Sequence, residues 1–302
     1  MKRIDYFFLS AMMIFLLIQG SISAQAGLRY EEYGPHRSRI DSLAPSSMIR
    51  RIFIIDSGMG AEQLKMLLEQ QVSLRKGFQY ELLVLGHSIG GKPKGEKRLL
   101  MEQLIMRSVQ EFGADGSNVF CVACNTFTFL GAVPYIRSIT GHRKMIIYTP
   151  VYVTLAALKG GQDDKIGVMG TDISIDPNNG NSYPHLLKKN HGYQNILTYN
   201  GQELIDAIQE QVSDEQLRPL VEKAAELFKR DGIQHLILGC THYTRIYHWL
   251  QRLLPGIKIY DSNTLMANRF AQFLLDHDLA VPNALFADLP VYGAAGQREH
   301  AA

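Results

Sequence analysis

From Arg51 onward the chain repeats one phrase: a short unbroken apolar run, a polar turn, then an amphipathic stretch of helical period. The apolar runs predict strands at 52–55, 80–85, 119–123, 145–148, 165–169, 195–199, 235–238 and 258–260. Most do not alternate with polar residues, as expected of strands covered on both faces. Helical patterns fall between them at 61–71, 96–111, 127–139, 201–211, 216–229, 244–254 and 264–276. Strand–helix alternation of this kind restricts the chain to an α/β fold with mainly parallel sheets. At 302 residues, 46% hydrophobic and 20% charged, the chain can bury one large core or two smaller ones. A formal charge of +2, from 31 basic and 29 acidic side chains, gives no support to a nucleic-acid surface. Three cysteines are too few for a disulfide scaffold.

The N-terminus carries a different signal. Lys2 and Arg3 precede a mostly apolar run over 6–18, and Ala24-Gln25-Ala26 offers a small-x-small cleavage site. The pattern is that of a secretory signal peptide over 1–26, with an uncleaved anchor as the alternative. The apolar run is short for a bilayer-spanning helix. A polar leader follows over 27–49, and export to a periplasm or the medium is expected, with the membrane involved only through the signal peptide.

Four strands end in tight polar turns: Asp56-Ser57-Gly58, Cys124-Asn125-Thr126, Gly170-Thr171 and Cys240-Thr241-His242. In open parallel sheets ligands collect beyond the carboxyl ends of the strands. The two cysteine turns look like copies, each an apolar strand, a Cys, hydrogen-bonding residues and a helix. They predict two pseudo-symmetric three-layer lobes, 50–147 completed by 263–302, and 148–262, with the active site in the cleft. A thiol at a helix start meets the positive end of the dipole and free N–H groups, so both cysteines are expected as low-pKa thiols. Two such groups facing one another suit inversion at an amino-acid Cα, one base on each face. Asn125, Thr126 and Thr241 could donate to the α-carboxylate, and Asp56 with Ser57 could accept from the ammonium.

Ile55-Asp56-Ser57-Gly58-Met59-Gly60, Ala123-Cys124-Asn125-Thr126 and Leu238-Gly239-Cys240-Thr241-His242-Tyr243 resemble the three signatures of the cofactor-independent aspartate/glutamate racemases, in family order and spacing. The resemblance, over roughly 50–280, implies that Cys124 and Cys240 are the catalytic bases, assisted by Asp56 and His242 respectively. It implies substrate contacts from Asn125, Thr126 and Thr241, and neither cofactor nor metal. Ser57 and Thr171, in the other strand-end turns, are further candidates, although the family's Gly-Thr-x-Gly-Thr stretch is reduced here to Gly170-Thr171-Asp172-Ile173-Ser174. Its Pro-Tyr-Gly loop, which cradles a side-chain carboxylate, corresponds to Pro93-Lys94-Gly95, where Lys94 could add a charge. His242 after Cys240-Thr241 favours glutamate, with aspartate or another amino acid as the alternative substrate. The family is often dimeric, so a homodimer is compatible with the resemblance.

Other matches are weighed against these. Cys121 and Cys124 spell C-x-x-C, but three residues of strand span about 10 Å and turn the side chains to opposite faces, which a disulfide does not tolerate. Gly86-His87-Ser88-Ile89-Gly90 fits the nucleophile elbow of an α/β-hydrolase, yet Gly90-Gly91-Lys92-Pro93 cannot begin the helix such an elbow needs. The overlapping G-x-x-x-x-G-K ends in Pro93 where a P-loop has Ser or Thr. His87, His185 and His191 lack metal-ligand spacing. A silent amino-acid-binding protein is the reading from another functional class.

Overall fold

The computed structural model describes residues 50–85, 89–112, 119–140 and 146–283. The expected signal peptide and leader, the segment Gly86-His87-Ser88 and residues 284–302 lie outside the described residues. Two four-stranded sheets, all parallel, form the frame. In the first, β1 (Arg50–Asp56), β3 (Phe78–Val84), β4 (Val119–Val122) and β5 (Ile146–Tyr148) lie in the order β3-β1-β4-β5. In the second, β6 (Ile166–Gly170), β7 (Ile196–Asn200), β8 (His235–Gly239) and β9 (Lys258–Asp261) lie in the order β7-β6-β8-β9. Each sheet therefore places its second strand, first, third and fourth side by side, so the two lobes share one topology.

The strands are the unbroken apolar runs because both faces are covered. Leu236 and Leu238 join one core with Met169, and Ile237 joins the other with Ile166 and Val168. The first lobe carries α1 (Gly60–Gln71), α2 (Lys94–Phe112), α3 (Asn125–Leu130), α4 (Ala132–Ile139) and α5 (Pro150–Ala157). The second carries α6 (Asp172–Ile175), α7 (Tyr183–His191), α8 (Gln202–Gln209), α9 (Asp214–Asp231), a 3-10 turn (Thr241–Ile246) and α10 (Tyr247–Leu253). The chain then returns: α11 (Ser262–Asp276) packs on α1 and α5, and β10 (Ala280–Pro282) pairs antiparallel with β2 (Val72–Leu74). None of the described helices is long and apolar enough to cross a membrane.

All eight predicted strands are present, and three features depart from the sequence reading. The β2–β10 ribbon and helices α5, α6 and α7 are additional. The helix expected over 127–139 is two helices, because Gly131 takes φ +98° and ends α3 in the left-handed region. The pattern over 244–254 opens as a 3-10 turn from Thr241 before α10. At Gly131 an added Cβ would meet only Pro134 at 3.7 Å, an ordinary contact, so substitution there costs backbone conformation alone. Gly131→Ala should lower stability by roughly 1–2 kcal/mol without loss of secondary structure, read as a lower thermal midpoint with an unchanged far-ultraviolet dichroism spectrum.

Candidate active site

In each sheet the first strand is flanked by the second and third, so the chain reverses its winding there and a crevice opens beyond the strand ends. In the first lobe this point is β1–β4, and Asp56, Ser57 and Cys124 stand at its carboxyl end. In the second it is β6–β8, with Thr171 and Cys240 in the same position. The two crevices face one another around a cavity with about 480 Å3 of empty space, mouth included. Asp56, Ser57, Cys124, Asn125, Thr126, Thr171, Cys240, Thr241 and His242 all line it.

Local structure fixes both thiols. β4 is buried along its whole length and ends where Cys124 turns into α3 as its N-cap, the Phe127 N–H donating to Sγ at 3.4 Å. Thr128 Oγ1 donates to the Cys124 carbonyl at 3.0 Å. Cys240 caps the 3-10 turn from extended backbone (φ −146°, ψ 136°). Cys124 is 6% exposed and Cys240 9%. All three cysteines are free thiols, and Cys121 lies wholly inside the core.

Each thiol has its own hydrogen-bond chain. Cys124 Sγ lies 3.4 Å from Ser57 Oγ, and Ser57 bonds through its side chain to Asp56. Asp56 also accepts from the Gly58 N–H (2.8 Å) and, across the cleft, from Thr241 Oγ1 (3.3 Å). Cys240 Sγ lies 3.4 Å from His242 Nδ1. His242 Nε2 is 2.7 Å from Gln209 Oε1, which also accepts from the Met59 N–H at 3.4 Å. An amide oxygen can only accept, so Nε2 carries the ring proton. Nδ1 is then bare, and the Cys240 S–H donates to it.

Burial governs the electrostatics and corrects the expectation of low-pKa thiols. Loss of solvent, followed by the nearby Asp56 carboxylate, pushes Cys124 up to about 12 against the opposing bonds from Ser57 and Phe127. Cys240 rises well above the usual thiol value for the same leading reason. A cap hydrogen bond and a short helix do not outweigh desolvation. Burial also raises Asp56 to about 7 and lowers His242 to about 4.

Other residues singled out from the sequence fall differently. Thr126 Oγ1 and Thr171 Oγ1 meet at 2.9 Å across the lobes. Asn125 accepts from Tyr183 Oη (2.7 Å) and donates to Ser262 Oγ (3.2 Å), so much of its amide is committed to the scaffold. Pro93, Lys94 and Gly95 stand exposed at the start of α2 and do not line the cavity. Lys94 instead donates to Asn179 Oδ1 at 3.3 Å. The cavity is lined there by Ile89, Gly90 and, one turn into α2, Lys97. Residues 89–93 are non-helical, so no helix follows directly on the Ser88 position as a hydrolase elbow requires. Gln202, Ile205 and Gln209 also line the cavity. Lys97 had a sequence signal, a charge in the apolar i, i+4, i+8 stripe with Met101 and Ile105; Gln209 had none. No metal-binding cluster occurs among the described residues.

Residues 88–270 match the family described as Asp/Glu/Hydantoin racemase. The chain belongs to that family. Among curated members it is 25% identical over 232 residues to the glutamate racemase of Neisseria meningitidis, covering 76% of this chain and 82% of that one. It is 27% identical over 229 residues to the glutamate racemase of Stutzerimonas stutzeri, covering 75% and 82%. The fold matches glutamate racemase from Francisella tularensis, solved with D-glutamate, at a TM-score of 0.62 and 20% identity over 76% of this chain and 83% of that one. The Thermus thermophilus enzyme gives 0.57 and 23% identity over 78% and 84%. The family model and the motif order agree on the racemase family, and the fold is compatible with it.

The two perturbed groups act on stability in opposite directions. Between 3.8 and about 7 the folded chain holds a proton on Asp56 that the unfolded chain has lost, so Asp56 makes stability fall as pH rises. Between about 4 and 6.5 the unfolded chain holds a proton on His242 that the folded chain lacks, so His242 makes stability rise with pH. Asp56→Asn should therefore tilt the stability–pH curve upward over pH 4–6.5, and His242→Gln should tilt it downward, each by at most roughly 1.4 kcal/mol per pH unit. Urea titrations at half-unit pH intervals give both slopes.

Proposed function

We propose that the chain is a cofactor-independent racemase that interconverts L- and D-glutamate by two-base proton transfer at Cα. The observation that carries this reading is the pair of thiols at equivalent strand ends of two like lobes, lining one cavity and each bonded to its own proton relay. One cysteine, as thiolate, takes the α-proton; the C–H electron pair passes into the α-carboxylate as an enolate. The cysteine on the opposite face, as thiol, returns a proton to Cα. In the reverse direction the two exchange roles.

Burial favours the neutral form of both thiols, so a relay must take up a proton before turnover. Cys124 has a path through Ser57 to Asp56, whose pKa of about 7 suits proton exchange near neutrality. Cys240 has the bare Nδ1 of His242. The substrate's ammonium adds a positive charge that favours thiolate and carboxylate alike. Thr126, Thr171 and Thr241 supply hydroxyl donors at the cavity wall for the α-carboxylate as charge builds on it. The glutamate racemases among the relatives support glutamate as substrate. The Lys2-Arg3, apolar and Ala24-Gln25-Ala26 pattern supports export, and a mature N-terminus at Gly27 is expected on Edman sequencing of secreted protein.

In D2O the protein should exchange the α-proton of either glutamate enantiomer and erase its optical rotation. Cys124→Ala and Cys240→Ala should each abolish inversion, leaving at most exchange of one enantiomer, a different one for each variant. Proton NMR and polarimetry read the two outcomes. Binding of glutamate without exchange would assign the fold to ligand capture instead.

A further inference from the structure

Lys97 breaks two rules of helix construction at once. It lies in the first turn of α2, where the dipole disfavours a cation. It also occupies the buried stripe shared with Met101 and Ile105, and only 1% of it is exposed. An apolar residue would serve packing better, and burying an ammonium is costly unless it is paired. Its partner is unequal: Nζ bonds both carboxylate oxygens of Asp172, at 2.9 and 3.0 Å, while the Asp172 side chain is 53% exposed. Asp172 belongs to the other lobe and follows the lining residue Thr171. Lys97 is the one lysine or arginine among the residues lining the cavity.

We propose that Lys97 is a specificity-determining residue that receives the side-chain carboxylate of an acidic amino acid, displacing Asp172 into solvent. The proposal rests on the racemase reading for the substrate's place in the cavity and deepens it by naming the charge that selects the substrate. The inequality of the pair is what makes exchange feasible. Lys97 stays inside protein and always requires an anion, whereas Asp172 can turn to water at little cost. An amino acid with a neutral side chain is a net-neutral zwitterion and leaves the Lys97–Asp172 pair undisturbed. An acidic one brings one further negative charge, and the buried ammonium is the complement available to it. A plain inter-lobe latch would behave differently, since both partners would then be needed equally for closure.

The test is binding of L-glutamate and L-glutamine to the full chain by titration calorimetry, which requires no turnover. The wild type should prefer glutamate by at least about tenfold; Lys97→Met should remove that preference while leaving glutamine affinity within about twofold, and Lys97→Arg should restore part of it. Asp172→Asn, at an exposed position that spares the core, should tighten glutamate severalfold by removing the competing carboxylate. A wild type without preference, a Lys97→Met variant weakened equally for both ligands, or an Asp172→Asn variant weakened for glutamate overturns the proposal. Proton exchange in the cysteine variants speaks to the racemase reading alone and these affinities to Lys97 alone, so either can fail without the other.

Discussion

At Gly58 and Gly60 the first lobe meets the second through backbone with no side chain between. A Cβ on Gly60 would collide with the Thr241 hydroxyl and the Asp56 carboxylate, and one on Gly58 would stand 2.5 Å from Gln209 Oε1. This closeness brings the turn after β1 against the turn after β8, lets Thr241 reach Asp56 across the cleft, and lets one amide oxygen serve both His242 and the Met59 N–H. A larger residue at Gly60 would press on the Thr241 side chain of the other lobe, and one at Gly58 would displace the tip of Gln209. Shared topology puts equivalent strand ends opposite one another; the two glycines let them meet.

Exclusion of water then decides the ionisation of the cavity. Cys124, Cys240 and Asp56 move up and His242 moves down, all with desolvation as the leading cause. All four are pushed toward their uncharged forms. The resting cavity is therefore poor in charge apart from Lys97, which is held by Asp172. A zwitterion entering it carries in the field that the protein has left out, and on the proposed reading that field is what brings the relays into play. Helix position predicted the opposite ionisation because it counts dipoles and leaves out desolvation, the larger effect at a buried sulfur.

Most of this frame is legible in the residues themselves. Strands buried on both faces read as apolar runs, and the turns Cys124-Asn125-Thr126 and Cys240-Thr241-His242 follow two of them. Helices α5 and α7 also carried readable starts, Thr149 before Pro150 and Ser182 before Tyr183-Pro184, with Gly192 closing α7 at φ +76°. Both are short, and α5 is apolar nearly all round, so its periodicity is weak. β2 and β10 each span three residues and exist through pairing between distant parts of the chain, which local pattern does not encode. The same holds for Gln209, placed by a tertiary contact, and for Pro93-Lys94-Gly95, whose motif position is right for the cavity but whose side chains face out. The lysine that lines the cavity stands about one helical turn further on, at 97.

The lobes repeat one another in strand order, while their proton acceptors do not. Cys124 leans on a hydroxyl and a carboxyl group, Cys240 on an imidazole steadied by an amide. Mirror-image substrates have identical free energies in water, so a racemase must show the same kcat/KM toward both at every pH, however unlike its two halves. Chemical inequality between the relays can surface only as matched changes in kcat and KM, so that one enantiomer binds more tightly and turns over more slowly. The fold's symmetry thus fixes where the two thiols stand, and on the proposed reading thermodynamics keeps their difference out of the overall specificity.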